Sequence, residues 1–593
     1  MSRLLTRITF SFVVAFFIFL VYVHLPRRRP VRLTNPTHCP LVPPDPPYQP
    51  PAHDRFNWRN VAQKNPLKSY STIARERPLP LPRIQHEFTR PGPERAATLR
   101  RRRAEVKRVF KKGWTAYKQR AWMQDELTPV TGASRNNWGG WGATLVDTLD
   151  TLWIMDMKVD FEQAVVAAAT IDFDPYKGQI DNVNIFETTI RYLGGLLGAY
   201  DLTDCRDKRL LNKAVELGDM LYAAFDTFNR MPLLLWDARN TADGNDQLPF
   251  GKSYLAEIGS LSLEFTRLSQ LTGDMRWFDA IQRITDLLDA QQNTTNIPGL
   301  WPVTCSPIEQ VFNKNPAFSL GPMADSAYEY LPKMYALLGG IDPAPQYERM
   351  YTTAMQTAKE RLFFRPITPD HADILISGQA FATARGDSTT DPETQHLTCF
   401  AGGMLALGGR LFPSNKDHIK MGRKLTDGCI WAYRNTPTGI MPERFHMAPC
   451  GGRFGAHSNT DGNDCTFDKD VWRDQYGDDF PAGFTGVTDT KYSLRPEAIE
   501  SVFYLYRITG DERLQDAAWD MFQAIEQYTK TDLANAELKN VFSTNPITHA
   551  DTMESFWTAE TLKYFYLVFS DPGVISLDDF VFNTEAHPFR LPK

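Results

Sequence analysis

The sequence predicts an all-α protein in which helical hairpins close into a toroid. Three observations lead there. Apolar residues recur at helical spacing: Phe186, Ile190, Leu193 and Leu197 share one face, as do Ile499, Phe503 and Tyr506. Runs of alternating β-branched residues are few. One unit recurs, in LGAYDLTDCRDKRLLNKAVELGDML (197–221), FTRLSQLTGDMRWFDAIQRITDLL (265–288) and FYLYRITGDERLQDAAWDMFQAI (503–525). Each reads as a helix, a short Asp-containing turn and a second amphipathic helix; the Gly of TGD ends one helix and its Asp caps the next. Repeated αα-hairpins build an open solenoid or a closed ring. Long loops bearing Trp, Asp and Gly, at 131–142 and 450–490, break the regular period a solenoid would keep, so the ring is expected.

Along the chain, three segments follow from composition. Residues 1–25 read as a cytosolic tip and a membrane anchor. Ile8 to Val23 is uncharged and strongly apolar, near the spanning length of a thin bilayer, and the HLPRRRP after it offers no small-x-small cleavage site. Residues 26–95 read as a Pro-rich stem, because PTHCPLVPPDPPYQPP and ERPLPLPRIQ favour extended chain that buries little. Residues 96–593 carry the helical domain. A net charge of −5 and a pI of about 6.2 give no basic face, which argues against nucleic acid as a partner. The cysteines are Cys39, Cys205, Cys305, Cys399, Cys429, Cys450 and Cys465. They form no CxxC pair and no zinc spacing, and their odd number leaves at least one thiol free or paired between chains. Asn293-Thr294-Thr295 is an N-glycosylation sequon.

Several carboxylates stand where a core-facing residue should be apolar: Glu187 in NIFETTIRYLGGLLGAY, Asp325 in GPMADSAYEYLPK, Glu497 after Pro496 in LRPEAIES, and Glu560 in ESFWTAETLKYFYLVF. A carboxylate in an apolar helix must be paired, metal-bound or hydrogen-bonded. Glycoside hydrolysis needs two, one protonated as acid and one ionised as base or nucleophile, and burial suits one member to the acid role. Plainer readings stand beside this: Glu187 with Arg191 as a helical ion pair, Glu497 compensating a helix dipole, Asp325 as an N-cap.

At these residues the sequence resembles the class I α-1,2-mannosidases, glycoside hydrolase family 47. The matching stretches are DTLDTLWIMDM (147–157), FETTIRYLGGLLGAYDLT (186–203), LTGDMRWFDA (271–280), DSAYEYLPKMY (325–335), HLTCFAGGMLALGG (396–409), GIMPERF (439–445), YSLRPEAIESVFYLYRITGDERL (492–514), ESFWTAETLKYFYLVFSD (554–571) and FNTEAHP (582–588). They run in family order through nearly the whole region after the stem. The resemblance implies an (α/α)7 barrel and an inverting mechanism, with a water between acid and base. It implies that Glu187 is the general acid, Glu497 the general base and Asp325 a third essential carboxylate. It implies calcium held by the hydroxyl and main-chain oxygen of Thr584, with waters and sugar hydroxyls completing the shell. Arg191, Glu443, Arg495, Phe556, Glu560 and Glu585 match residues lining the family's sugar site, and Cys399 and Cys429 its disulfide.

The implied substrate is terminal α-1,2-linked mannose on oligomannose N-glycans. The implied place is the endoplasmic reticulum or Golgi membrane, single-pass type II, with the catalytic domain in the lumen. The flanking arginines, Arg3 and Arg7 before the apolar run and Arg27, Arg28, Arg29 and Arg32 after it, by themselves favour the opposite orientation; the lumenal chemistry decides for a cytosolic amino terminus. Met323 stands where the single-linkage endoplasmic-reticulum type carries Arg, which favours broader trimming. The chief alternative is a lectin-like member that binds the glycans with little turnover; an unrelated α/α-barrel hydrolase and a purely structural α-solenoid are the others.

Overall fold

The structure is a computed structural model describing Cys39 and residues 56–593, apart from 75, 178–181, 384–386, 453 and 455–464. The apolar run Ile8 to Val23 lies outside the described residues; among those described, no helix is long and apolar enough to cross a membrane.

Six inner-to-outer helical hairpins follow one another. Their inner helices are Leu149–Ile154, Gly194–Leu202, Ser262–Thr272, Asp325–Leu337, Ala401–Leu411 and Glu497–Thr509. Their outer partners are Lys158–Ala168, Lys208–Ala223, Arg276–Gln291, Ala344–Arg361, Asp417–Arg434 and Arg513–Thr529. A seventh pair joins the two ends of the region: the outer helix Pro93–Arg120 packs on the inner helix Leu562–Val568. Each inner helix touches the next, and Trp557–Thr561, which leads into the last, touches Leu149–Ile154, so the ring closes. The TGD glycines act as their sequence suggests: Gly273 and Gly510 are left-handed, with φ of 78° and 73°. The aspartates do not take the cap position, which Met275 and Glu512 hold; Asp274 and Asp511 stand one residue earlier and accept from the N–H groups of Arg276 and Arg513, the first residues of the next helices.

The inner helices run from one mouth to the hairpin turns at the other end. Short antiparallel strands in the loops dress the mouth, among them the sheet of Glu393–Gln395, Arg444–His446 and Gly486–Asp489. A β-hairpin of Phe580–Phe582 and Pro588–Arg590 packs against Gly194–Leu202 and Asp325–Leu337 and plugs the ring. Its Phe582 sits among the rings of Phe503, Tyr504 and Tyr564. The plug needs a helix without side chains beside it. A Cβ on Gly194 would lie 2.6 Å from Asn583 Nδ2 and 2.7 Å from His587 Cδ2.

From Phe56 onward the Pro-rich segment expected as a free stem is instead laid along the barrel. Trp58 is buried, its indole N–H donating to the Phe173 carbonyl at 2.8 Å, and Ile84 is buried too. Main-chain N–H groups of Ser71, Leu79, Ile84 and His86 bond to Asp279, Gly339, Asp578 and Arg507 in turn. Gln85 also accepts from Arg507, a fully buried guanidinium that otherwise donates to main-chain carbonyls. Prolines exclude helix, but they leave apolar side chains and N–H groups free to pack. Three cysteine pairs are bridged, Cys399–Cys429, Cys450–Cys465 and Cys39–Cys205, and Cys305 is buried and free.

Candidate active site

A cleft of about 510 Å3 opens at the mouth and ends on the plug. Glu187, Asp325 and Glu497 line it; Asp325 and Glu497 are the first residues of two inner helices, and Glu187 ends the short helix Ile185–Glu187 that leads toward a third. Arg191, Glu443, Arg495, Phe556, Glu560, Thr584 and Glu585 line it as well. All ten residues singled out in the sequence for catalysis, sugar binding or metal are therefore gathered in one cavity.

Local backbone sets the positions. Asn184 caps the short helix Ile185–Glu187 by accepting from the Glu187 N–H at 3.0 Å. The helix then widens into a π-turn over Thr188–Leu193, which holds Arg191; a second π-turn, Trp557–Thr561, holds Glu560. Such wide turns displace one residue from the regular face and recur at functional sites. Three non-glycine residues with positive φ, Met323 (72°), Leu494 (64°) and Ala586 (58°), flank Asp325, Arg495 and Glu585. Neighbours hold all three: the Ala256 N–H donates to the Met323 carbonyl, Thr561 Oγ1 to that of Leu494, and Lys563 to that of Ala586. Strain maintained this way is a mark of a site whose geometry outranks local comfort.

Arg191 is the hub of one wall. It donates to Glu187 at 2.7 Å, Ser555 at 2.9 Å and Glu585 at 3.3 Å, and lies over the rings of Trp138 and Phe556. Burial opposes its charge, but Glu187, Glu585, Asp147 and Glu554 together raise the guanidinium well above its ordinary value. The opposite wall is Arg495, bonded to Glu443 at 2.6 Å, with the Ser493 N–H on the other Glu443 oxygen at 3.1 Å.

The carboxyl groups differ in their settings. Burial pushes Asp325 up to about 7; the nearby Glu329 adds to this, and the Ser326 N–H at 2.8 Å only partly offsets it. Glu497 is largely shielded from solvent too, yet its hydrogen bond to His396 at 2.8 Å, the charge of His396 and Arg495 and its own helix N–H hold it below the usual carboxylate range. The other ring nitrogen of His396 meets the Tyr433 hydroxyl at 2.8 Å. Glu560 and Glu585 are hydrogen-bonded to each other; burial pushes both up, with the charges of Glu585 and Asp147 adding to it at Glu560, and Arg191 partly offsetting it at Glu585. Beneath the plug's turn, His587 bridges Asp150 at 2.7 Å and Asp147 at 3.0 Å, and Lys563 meets Asp150 at 2.8 Å. Burial works against a charged His587, but the two aspartates raise it to about 9.

Sequence reasoning missed Glu329 and Glu500, which also line the cleft and share Lys333, Glu329 directly and Glu500 at 3.4 Å. The signal was there: Glu329 is i+4 from Asp325 and Glu500 is i+3 from Glu497, so each lies on the same helix face as its neighbour. Gln395, the residue before His396, is nine-tenths buried on the cleft wall with an Oε1 that has no partner among the described residues. Asp325 is no ordinary N-cap, since it is the first residue of its helix and Ala324 holds the cap position.

Residues 109–591 match glycosyl hydrolase family 47. A mannosyl-oligosaccharide 1,2-alpha-mannosidase of Arabidopsis thaliana is 34% identical over 505 residues, 83% of this chain and 79% of that protein. The endoplasmic reticulum mannosyl-oligosaccharide 1,2-alpha-mannosidase of Homo sapiens is 35% identical over 491 residues, 82% of this chain and 63% of that protein. The solved alpha-1,2-mannosidase from Trichoderma reesei superposes with a TM-score of 0.72 at 32% identity, covering 85% of this chain and 100% of that one.

Proposed function

The chain belongs to glycosyl hydrolase family 47 and is an α-1,2-mannosidase; from that premise we propose that it is a calcium-dependent, inverting exo-hydrolase that trims terminal α-1,2-linked mannose from oligomannose N-glycans. The observation that carries this reading is the gathering of Glu187, Asp325 and Glu497 in one cleft with Thr584 in its lining.

In this mechanism Glu497, kept ionised by His396 and Arg495, takes a proton from the attacking water. Glu187, held by Arg191, gives a proton to the departing glycosidic oxygen. Arg191 and Arg495 present fixed forks that orient carboxylates and sugar hydroxyls, and Phe556 offers the ring an apolar face. A second assignment is favoured by burial: Asp325, pushed up to about 7, keeps its proton roughly half the time at neutral pH, as suits an acid. An aryl α-mannoside with a good leaving group needs no acid. Whichever of Glu187→Gln and Asp325→Asn keeps its rate on that substrate, while losing it on α-1,2-mannobiose, marks the donor.

The residues present fit calcium. Thr584 uses its N–H on the Tyr330 hydroxyl at 3.2 Å, while its hydroxyl and carbonyl oxygens have no hydrogen-bond partner among the described residues. Glu329, Glu500, Glu560 and Glu585 line the same cleft, with Lys333 and Arg191 offsetting only part of their charge. Hard oxygen donors in this number suit calcium, with Thr584 as direct ligand and the carboxylates around it through water. A bound cation would polarise and orient the sugar hydroxyls. Thr584→Ala should weaken calcium binding, and a chelator should abolish mannose release until calcium is restored. Proton NMR of fresh product should show β-mannose; α-mannose first would exclude inversion.

The same proposal places the chain in the endoplasmic reticulum or Golgi membrane, anchored by Ile8 to Val23 with the barrel in the lumen. Its bridged cysteines suit an oxidising compartment. Exposed Met323 at the cleft supports trimming of more than one linkage. A time course on a nine-mannose glycan, read by isomer, tests the order, and protease protection in microsomes tests the topology.

A further inference from the structure

Under the plug, outside the cleft lining, lies a carboxyl the mechanism leaves unused. Glu264, on the inner helix Ser262–Thr272, is fully buried and makes no ion pair among the described residues. Its Oε2 has no partner, and its Oε1 takes two donors, the Tyr330 hydroxyl and Asn583 Nδ2, each at 2.7 Å. An isolated buried carboxyl is costly to keep, so what it holds is informative.

Both donors reach the turn that carries Thr584. Because the Tyr330 proton is committed to Glu264, the phenolic oxygen is left to accept the Thr584 N–H at 3.2 Å. Asn583 spends its amide hydrogens on Glu264 and on the Ile190 carbonyl at 3.0 Å. Its Oδ1 then faces the other way and accepts from Glu585 N–H at 3.0 Å and His587 N–H at 2.8 Å. Glu264 thus fixes the polarity of two side chains that engage the N–H groups of residues 584, 585 and 587. With those N–H groups tied, the turn is held with left-handed Ala586 in place and the Thr584 oxygens uncommitted.

We propose that Glu264 is a positioning residue for the cation site, acting through Tyr330 and Asn583 to fix the turn that presents the Thr584 oxygens. This rests on the reading that Thr584 holds calcium. No ligand contact by Glu264 is needed; an acceptor oxygen at the Oε1 position is.

The test is calorimetric titration of calcium into the chelator-stripped, detergent-solubilised full chain, with melting in chelator as the measure of the cation-free fold. Glu264→Leu and Tyr330→Phe should each bind calcium at least tenfold more weakly than wild type. Glu264→Gln keeps an acceptor and should stay within about threefold. Tyr330→Phe should melt in chelator within a few degrees of wild type, and it decides the matter if Glu264→Leu does not fold. If wild type itself binds no calcium, the Thr584 reading falls. If wild type binds and Tyr330→Phe binds within twofold of it, or Glu264→Gln loses at least tenfold, the positioning role alone falls.

Discussion

Asp325→Asn should make the protein inactive and, at neutral pH, more stable. Asp325 is pushed from 3.8 to about 7. A raised carboxyl keeps its proton in the folded state while the unfolded chain gives it up. Folding stability therefore falls as pH rises from about 4 to about 7, and the loss is complete above that window. Some three units at about 1.4 kcal/mol each give about 4 kcal/mol as a ceiling. Asp325 keeps a solvent-facing edge on the cleft, so roughly 2–4 kcal/mol is a fair range once screening is allowed for. The Asn variant keeps the acceptor for the Ser326 N–H and carries no charge to desolvate. A chain this long has an unfolding entropy of roughly 1 kcal/mol/K, so the gain corresponds to melting about 2–4 °C higher at pH 7.5. At pH 5 only about a third of the window has been crossed, and the gain should shrink to about a third. Melts in chelator at the two pH values, beside a mannobiose assay, measure all of this. An Asn variant that melts no higher than wild type at pH 7.5, or whose advantage is equal at pH 5, would refute the raised titration assigned to Asp325.

Three other predictions follow from neighbouring features. Replacing His396 by Leu removes the donor that keeps Glu497 ionised against its burial; the acid limb of kcat/KM should move to higher pH, and an unmoved limb would contradict the role given to Glu497. The double change Cys399→Ser with Cys429→Ser opens a loop with a sequence separation of 30; the chain-entropy model gives a loss of roughly 3–4 kcal/mol, readable as a lower denaturant midpoint. Trp58→Ala should lose about 3–5 kcal/mol, the cost of emptying a core position. A negligible change there would mean that residues 56–92 do not stay on the barrel.

The ring was legible because its turns announce themselves: Gly273 and Gly510 end helices as TGD predicts, and the apolar spacing around Leu193 and Phe503 marks inner faces. The site was legible only in part. Pattern alone left Glu187 as a candidate ion pair, and it is one, with Arg191; the pairing and the placement in the cleft are both real. What pattern cannot supply is that helices more than a hundred residues apart aim Glu187, Asp325 and Glu497 at one space, and the family resemblance supplied it. Glu264 and Tyr330 gave no signal in the sequence because the residues they engage, Asn583 and Thr584, lie more than two hundred residues downstream. The packed segment at 56–92 was misread for a different reason. Its prolines report on backbone conformation, whereas burial there depends on a few residues, Trp58 and Ile84 above all, meeting a surface formed elsewhere.

The seventh helical pair has a temporal side. Pro93–Arg120 is synthesised first and its partner Leu562–Val568 last, more than four hundred residues later. At roughly 5–20 residues per second the first helix waits on the order of 20–90 s for the inner helix it packs on. The ring therefore closes only when translation of the barrel is nearly done, and it gains its plug and the turn bearing Thr584 in the same closing moments.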